Sequence, residues 1–281
     1  MSMYTLSETD SDYIRQAMQI KGQFQYICFG ELRQMKIVEY GKNNEDVIIL
    51  LHGGGLSWWN YREVAEYLSD RFHIVMPILN GHSESDVPFT SIENNAKEII
   101  SYIDENFGGR VLLIGGLSLG GQVLIEILSQ RSDICSFAII ESALVLPMKL
   151  TAALIKPSYA LCYPLIKKHW FAKLQFKALH IKAELFEDYY VDSAAISESD
   201  MTAFLMANLD YSLKDSLAHC KAKALVLVGS REQGIMKKSA GIIAERLPAS
   251  RLKLMQNYYH GDCSINHPEE YAKMLLELIG D

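Results

Sequence analysis

Short apolar runs alternate along the chain with stretches of helical periodicity, the pattern of a sheet wound with helices. Residues 24–29 and 35–40 read as two early strands forming a hairpin. The run VIILL at 47–51 is apolar throughout, as expected of a strand covered on both faces. Similar runs at 72–78, 110–114, 136–140, 224–228 and 251–255 complete a mostly parallel, eight-stranded sheet. Helical patterns fall between them at 60–70, 92–105, 121–131, 237–246 and 268–278. The last has a clear start: Pro268 pre-sets the backbone, and Glu269 and Glu270 face the positive end of the helix.

One region breaks the alternation. From Leu144 to Asp215 the periodicity is helical, with no convincing strand. This divides the chain into an α/β core at 1–143 and 216–281 and an all-helical insertion at 144–215. An insertion between two sheet strands is expected to form a cap over the sheet's C-terminal edge, where ligands bind in open α/β sheets. Its charges are segregated: residues 142–183 hold seven lysines and no Asp or Glu, whereas 184–215 hold eight acids and one lysine.

Composition narrows the class. Of 281 residues, 49% are apolar and 22% charged, enough to bury a large core, so global disorder is excluded. With 27 basic against 34 acidic residues the net charge is −7, and no basic stripe for nucleic acid stands out. The polar, acidic start lacks the basic and apolar segments of a secretory signal. The apolar stretch 111–128 is interrupted by glycines, Ser118, Gln122 and Glu126, so it reads as strand, turn and helix rather than a membrane span. Five scattered cysteines without a CxxC pair suggest neither a disulfide framework nor a zinc site. A cytoplasmic protein without cofactor or metal is expected.

The sharpest chemical signal is Gly116-Leu117-Ser118-Leu119-Gly120, directly after the strand at 110–114. Gly-x-Ser-x-Gly between strand and helix is the nucleophile elbow: a strained turn lifts the serine hydroxyl clear of the sheet, and its neighbours must be small. His52-Gly53-Gly54-Gly55 follows the VIILL strand, and its glycines can present backbone N–H donors to an oxyanion. Gly54 is the chosen donor, with Leu119 as the second; Gly53 and Gly55 remain open. A serine needs a base, and His260, after the last strand, sits at the same sheet edge. His82 reads as a structural loop residue, and His267 as part of a helix start. The acid that orients the imidazole follows the strand at 224–228: Glu232 is the choice, with Glu141 a competitor at the same edge.

These residues carry a resemblance. The chain is similar to the α/β-hydrolase fold superfamily through LLHGGG (50–55), Gly81-His82-Ser83, GLSLGG (116–121), residues 228–232, and His260 with His267-Pro268-Glu269-Glu270. Within it, small capped esterases, enol-lactonases and carbon–carbon bond hydrolases are most alike. The resemblance implies an α/β-hydrolase sheet, a Ser118–His260–acid triad and an acyl-enzyme step on a small-molecule acyl substrate. Haloalkane dehalogenases and epoxide hydrolases of this fold use Asp as nucleophile, whereas position 118 is Ser.

An acyltransferase would use the same triad, and a ligand-binding protein with little turnover would keep the same pocket. Trp58 and Trp59 read equally as a pocket wall or as packing for the next helix. The aromatic run Tyr159, Tyr163, Trp170, Phe171 and Phe176 is expected in the cap's own core. The basic stretch 167–182, with apolar residues interleaved, is expected to be a solvated face turned toward the acidic half, without stable membrane association.

Overall fold

The computed structural model describes residues 35–83 and 85–280, with the backbone alone for 159–162. Seven strands are present among the described residues: β1 (Ile37–Tyr40), β2 (Val47–Leu51), β3 (His73–Pro77), β4 (Val111–Leu117), β5 (Cys135–Glu141), β6 (Lys223–Gly229) and β7 (Ser250–Met255). They form one sheet in the order β1-β3-β2-β4-β5-β6-β7. All neighbours are parallel except β1, which runs antiparallel to β3. The eighth strand expected at 24–29 lies outside the described residues.

The helices in chain order are α1 (Arg62–Leu68), α2 (Ile92–Phe107), α3 (Leu119–Gln130), α4 (Lys149–Ile166), α5 (His169–Ala178), α6 (Phe186–Ala195), α7 (Glu198–Asp210), α8 (Gly234–Arg246), α9 (Asp262–Asn266) and α10 (Pro268–Ile279). Strand periodicity of two splits the β2 run between two cores. Val47, Ile49 and Leu51 pack with α2, α3 and α8, while Ile48 and Leu50 pack with α1 and α10. An all-apolar strand is thus the sequence trace of a sheet with helices on both faces.

Register brings the strand ends level. Leu51 lies opposite Gly116, Leu117 opposite Glu141, Glu141 opposite Leu227, and Gly229 opposite Met255. The loops after β2, β4, β5, β6 and β7 therefore leave the sheet at one edge.

Between β5 and β6 the chain is helical, carrying α4 to α7 and no strand among the described residues. Polar contacts hold this insertion against that edge. Buried Asp192 of α6 accepts from Trp59 Nε1 at 2.6 Å and Ser83 Oγ at 2.7 Å. Asp200 of α7 accepts from Phe89 N at 2.8 Å, and Gln122 Nε2 of α3 donates to Leu144 O and Asn208 O at 2.7 and 2.9 Å.

Two expectations for the insertion are corrected. Among the described residues, the lysines of 142–183 do not pair with the acidic half: only Lys182 is in an ion pair, with Glu63 of α1. The aromatic run is not one core either. Phe176 is buried, Tyr163 and Phe171 are half-buried, and Trp170 is exposed; the Tyr159 side chain is outside the description. Phe176 and Trp170 are six residues apart on α5 and so point to different sides of the helix.

Candidate active site

Ser118 stands between β4 and α3 with φ 53° and ψ −111°, a conformation that a non-glycine residue adopts only under constraint. Hydrogen bonds on both sides impose it: Ser118 N donates to Glu141 O at 2.8 Å, and Gln122 N to Ser118 O at 3.0 Å. The turn is so tight that a Cβ on Gly116 would lie 2.4 Å from Gly120 O, and one on Gly120 2.1 Å from Leu51 O. Only glycine fits at either position, as the sequence pattern anticipated.

The loop after β2 is pinned by its histidine. His52 is fully buried; its Nε2 accepts from Leu79 N at 3.0 Å, so Nδ1 carries the hydrogen donated to Gly53 O at 2.9 Å. Burial, with the neighbouring His82, lowers its pKa to about 3, so it stays neutral. His82 is likewise buried, with Nδ1 at 3.0 Å from Asn80 O, and burial lowers its pKa to about 4. Both are structural. His267 opens α10 and stacks on Tyr258 at 4.5 Å.

A Cβ built on Gly54 would lie 3.5 Å from Leu119 Cβ and 3.3 Å from the Phe204 ring of α7. Gly54 and Leu119 are therefore neighbours, with an aromatic side chain of the insertion against them. Leu119 is the first residue of α3, where backbone N–H groups have no acceptor within the helix.

His260 lies in the loop between β7 and α9, and its Nδ1 is 2.8 Å from Glu232 Oε2. Glu232 is buried and held at its other oxygen, where Oε1 accepts from Ser142 Oγ at 2.8 Å and Gly229 N at 2.7 Å. Burial works to raise the Glu232 pKa. The hydrogen bond and charge of His260, with the Gly229 N–H and Ser142 hydroxyl, outweigh it and hold the carboxyl below its usual value. Nδ1 thus carries the hydrogen, and Nε2 is left as the basic atom. No hydrogen bond joins Nε2 to Ser118 Oγ among the described residues.

Glu141, the competing acid, is turned elsewhere. Its Oε1 accepts from Cys263 N at 3.1 Å and Ser264 N at 3.3 Å, both in α9, immediately after the His260 loop. It is fully buried, and burial raises its pKa to about 7. Glu141 therefore anchors the segment that carries His260 rather than touching the imidazole. That anchoring, and the grip of Ser142 on Glu232, were missed by sequence reasoning. Contacts between loops so far apart leave no local pattern, and the one backbone oddity at Ser142, φ 54°, is visible only in three dimensions. Trp58 and Trp59 are both buried, the first beneath the Arg62 guanidinium at 5.0 Å, the second bonded to Asp192.

A wound parallel sheet with a strained serine turn at its C-terminal edge defines an α/β-hydrolase. Residues 48–274 match the model of the alpha/beta hydrolase family, and the chain belongs to that family. Solved structures share the fold at low identity. A thermophilic esterase from Thermogutta terrifontis is 19% identical with a TM-score of 0.71, covering 86% of this chain and 92% of that one. An esterase from Exiguobacterium antarcticum is 18% identical, TM-score 0.74, covering 88% and 96%. The enol-lactonase from Burkholderia xenovorans LB400 is 15% identical, TM-score 0.72, covering 88% and 96%. Among the described residues no helix is long and apolar enough to cross a membrane, and no cluster of His, Cys, Asp or Glu has the arrangement of a metal site.

Proposed function

We propose that the protein is a serine hydrolase that cleaves a small ester, lactone or activated ketone through an acyl-enzyme. The observation that carries this reading is the buried, doubly anchored Glu232 at 2.8 Å from His260 Nδ1, at the same sheet edge as the strained Ser118. Ser118 Oγ attacks the substrate carbonyl carbon while its proton passes to His260 Nε2. Glu232 keeps the Nδ1 hydrogen and stabilises the imidazolium. The carbonyl oxygen becomes an oxyanion met by the N–H groups of Gly54 and Leu119, each such donor being worth about 10²–10³ in rate. Collapse breaks the bond to the leaving group, which takes the proton from His260. Water then attacks the acyl-enzyme, giving a proton to His260, and the carboxylic acid leaves as Ser118 is reprotonated. A hydrogen bond from Ser118 Oγ to His260 Nε2 has to form when substrate binds, as hydrogen bonds in catalytic sites often do.

In this reading the helical insertion is a cap, with Phe204 lying against the oxyanion loop, and the partner is a small-molecule acyl substrate. The esterases and the enol-lactonase among the structural neighbours support the reaction class. Cys135, Cys220 and Cys263 are buried free thiols, which supports a reducing, cytoplasmic setting. Labelling of the purified chain by a fluorophosphonate, with the adduct located by mass spectrometry, tests the reading. Stoichiometric modification of Ser118, absent in Ser118→Ala and His260→Ala, is expected. No labelling while a control hydrolase reacts would overturn it.

A further inference from the structure

The surface of the helical insertion carries a feature that the catalytic reading does not use. Six large apolar side chains open to solvent belong to α4, α5 or the residue after α5. Leu150 is 87% exposed, Leu154 63%, Trp170 62% and Leu174 61%, and Leu165 and Leu179 are also exposed. On α5, steps of three and four residues join Trp170, Lys173, Leu174 and Lys177 into one stripe, while Ala172 and Phe176 of the same helix are buried. On α4, Leu150 and Leu154 are one turn apart, and Lys149 and Lys156 of the same helix are exposed on another side of it.

Along the sequence the charge in this stretch has one sign, although Glu187 of α6 lies 3.6 Å from His169 Nε2, beside Trp170. Residues 142–183 hold seven lysines, no arginine and no acid, on a chain whose net charge is −7. Among the described residues none of Lys149, Lys156, Lys167, Lys168, Lys173 and Lys177 is in an ion pair. The only one of the seven that is, Lys182, bonds Glu63. Among the described residues the one ion pair between this stretch and the acids of 184–215 is His169 with Glu187 at 3.6 Å, and the six lysines stay exposed without one.

We propose that the α4–α5 face is a docking surface for an anionic phospholipid bilayer. The leucines and Trp170 enter the boundary between headgroups and acyl chains, and the lysines reach lipid phosphates. Lysine is depleted in the buried centres of protein interfaces, so exposed leucines on helices whose lysines are in no ion pair among the described residues fit lipid better than a folded partner. Nucleic acid fits worse still: the stretch has no arginine, and its exposed apolar groups are mostly aliphatic. Attachment is peripheral and independent of the acyl chemistry proposed above.

The chain contains its own reporter. Of three tryptophans, Trp58 and Trp59 are buried and only Trp170 is exposed. The full chain is mixed with vesicles of phosphatidylcholine, with or without phosphatidylglycerol, and followed by sedimentation and tryptophan emission. Binding to the anionic vesicles alone is expected, with a blue shift that Trp170→Phe abolishes. Replacing Lys173 and Lys177 by Gln should weaken partitioning roughly 30-fold. Three results would overturn the proposal: no binding to anionic vesicles, equal binding to phosphatidylcholine alone, or a blue shift that survives Trp170→Phe. A chain that sediments as a dimer, and is made monomeric by Leu174→Asp, would assign the face to a second copy instead.

Discussion

Replacing Glu232 by Gln tests the site at the atom that matters. Glu232 Oε1 already accepts from Ser142 Oγ and Gly229 N, and Oε2 accepts from His260 Nδ1. In the Glu232→Gln variant the amide oxygen can keep the first two donors, which leaves the amide nitrogen facing Nδ1. Two donors cannot share that contact, so the imidazole takes the other tautomer, with its hydrogen on Nε2, and loses its power as a base toward Ser118. The reverse orientation, oxygen toward His260, sets the amide against the Gly229 N–H in a buried place, at a cost of about 1–3 kcal/mol. Loss of the correct tautomer is worth about 10³–10⁴ in kcat, or about 4–5 kcal/mol of transition-state stabilisation. Glu141→Gln is the matched control. With its pKa raised to about 7, Glu141 is largely a neutral carboxyl below that pH, and an amide oxygen can still accept from Cys263 N and Ser264 N. Its activity should stay within about tenfold of the parent. Hydrolysis of a p-nitrophenyl acetate series and the rate of fluorophosphonate labelling, on variants whose folding is verified by circular dichroism, compare the two. A larger loss from Glu141→Gln than from Glu232→Gln would refute the assignment of the acid.

Glu141 also makes a stability prediction. Its folded pKa of about 7 lies above the ordinary value of 4.5, so the native state holds the proton more tightly. Stability from this group is complete below the unfolded pKa and is lost as pH rises through about 7, by roughly 3 kcal/mol in all. Urea unfolding of the parent and Glu141→Gln should therefore diverge in favour of the variant between pH 4.5 and 7; parallel curves would show that the carboxyl is not perturbed. Gly120→Ala would place a Cβ 2.1 Å from Leu51 O, a backbone atom of β2 that cannot swing aside. A loss above about 3 kcal/mol or failure to fold is expected, and a soluble variant with the parental urea midpoint would show that the elbow has room to relax.

How far the sequence revealed this molecule follows from the range of each contact. The described strands β2 to β7 fall within a few residues of the apolar runs, because a strand buried on both faces announces itself in consecutive residues. The serine turn was equally legible: its steric demand acts between positions 116 and 120, and only glycine meets it. For the partner of His260 the sequence favoured Glu232 but left Glu141 as a competitor. Both follow a strand ending at the same edge, and what separates them is side-chain direction. Glu232 is turned by Ser142 and Gly229 toward the imidazole, whereas Glu141 is drawn to the first N–H groups of α9.

The helical insertion was legible as helix and misleading as surface. Segregated lysines and acids along a sequence suggest two faces that neutralise one another, but that inference assumes the two halves meet through those faces. Among the described residues they do so only where His169 approaches Glu187, at 3.6 Å, and none of the lysines takes part. The acidic half spends Asp192 on Ser83 and Trp59, Asp188 on Arg62, and Asp200 on Phe89 N, all on the core side. The lysines of α4 and α5 stay exposed, as do Leu150, Leu154, Trp170 and Leu174 of the same helices. The segregation is only partly carried into space: Asp188, Asp192 and Asp200 bond the core, whereas Glu184, Glu187, Glu198, Asp210 and Asp215 are as exposed as the lysines. What argues for an external anionic partner is narrower: six exposed lysines that are in no ion pair among the described residues, on helices that also expose leucines and Trp170.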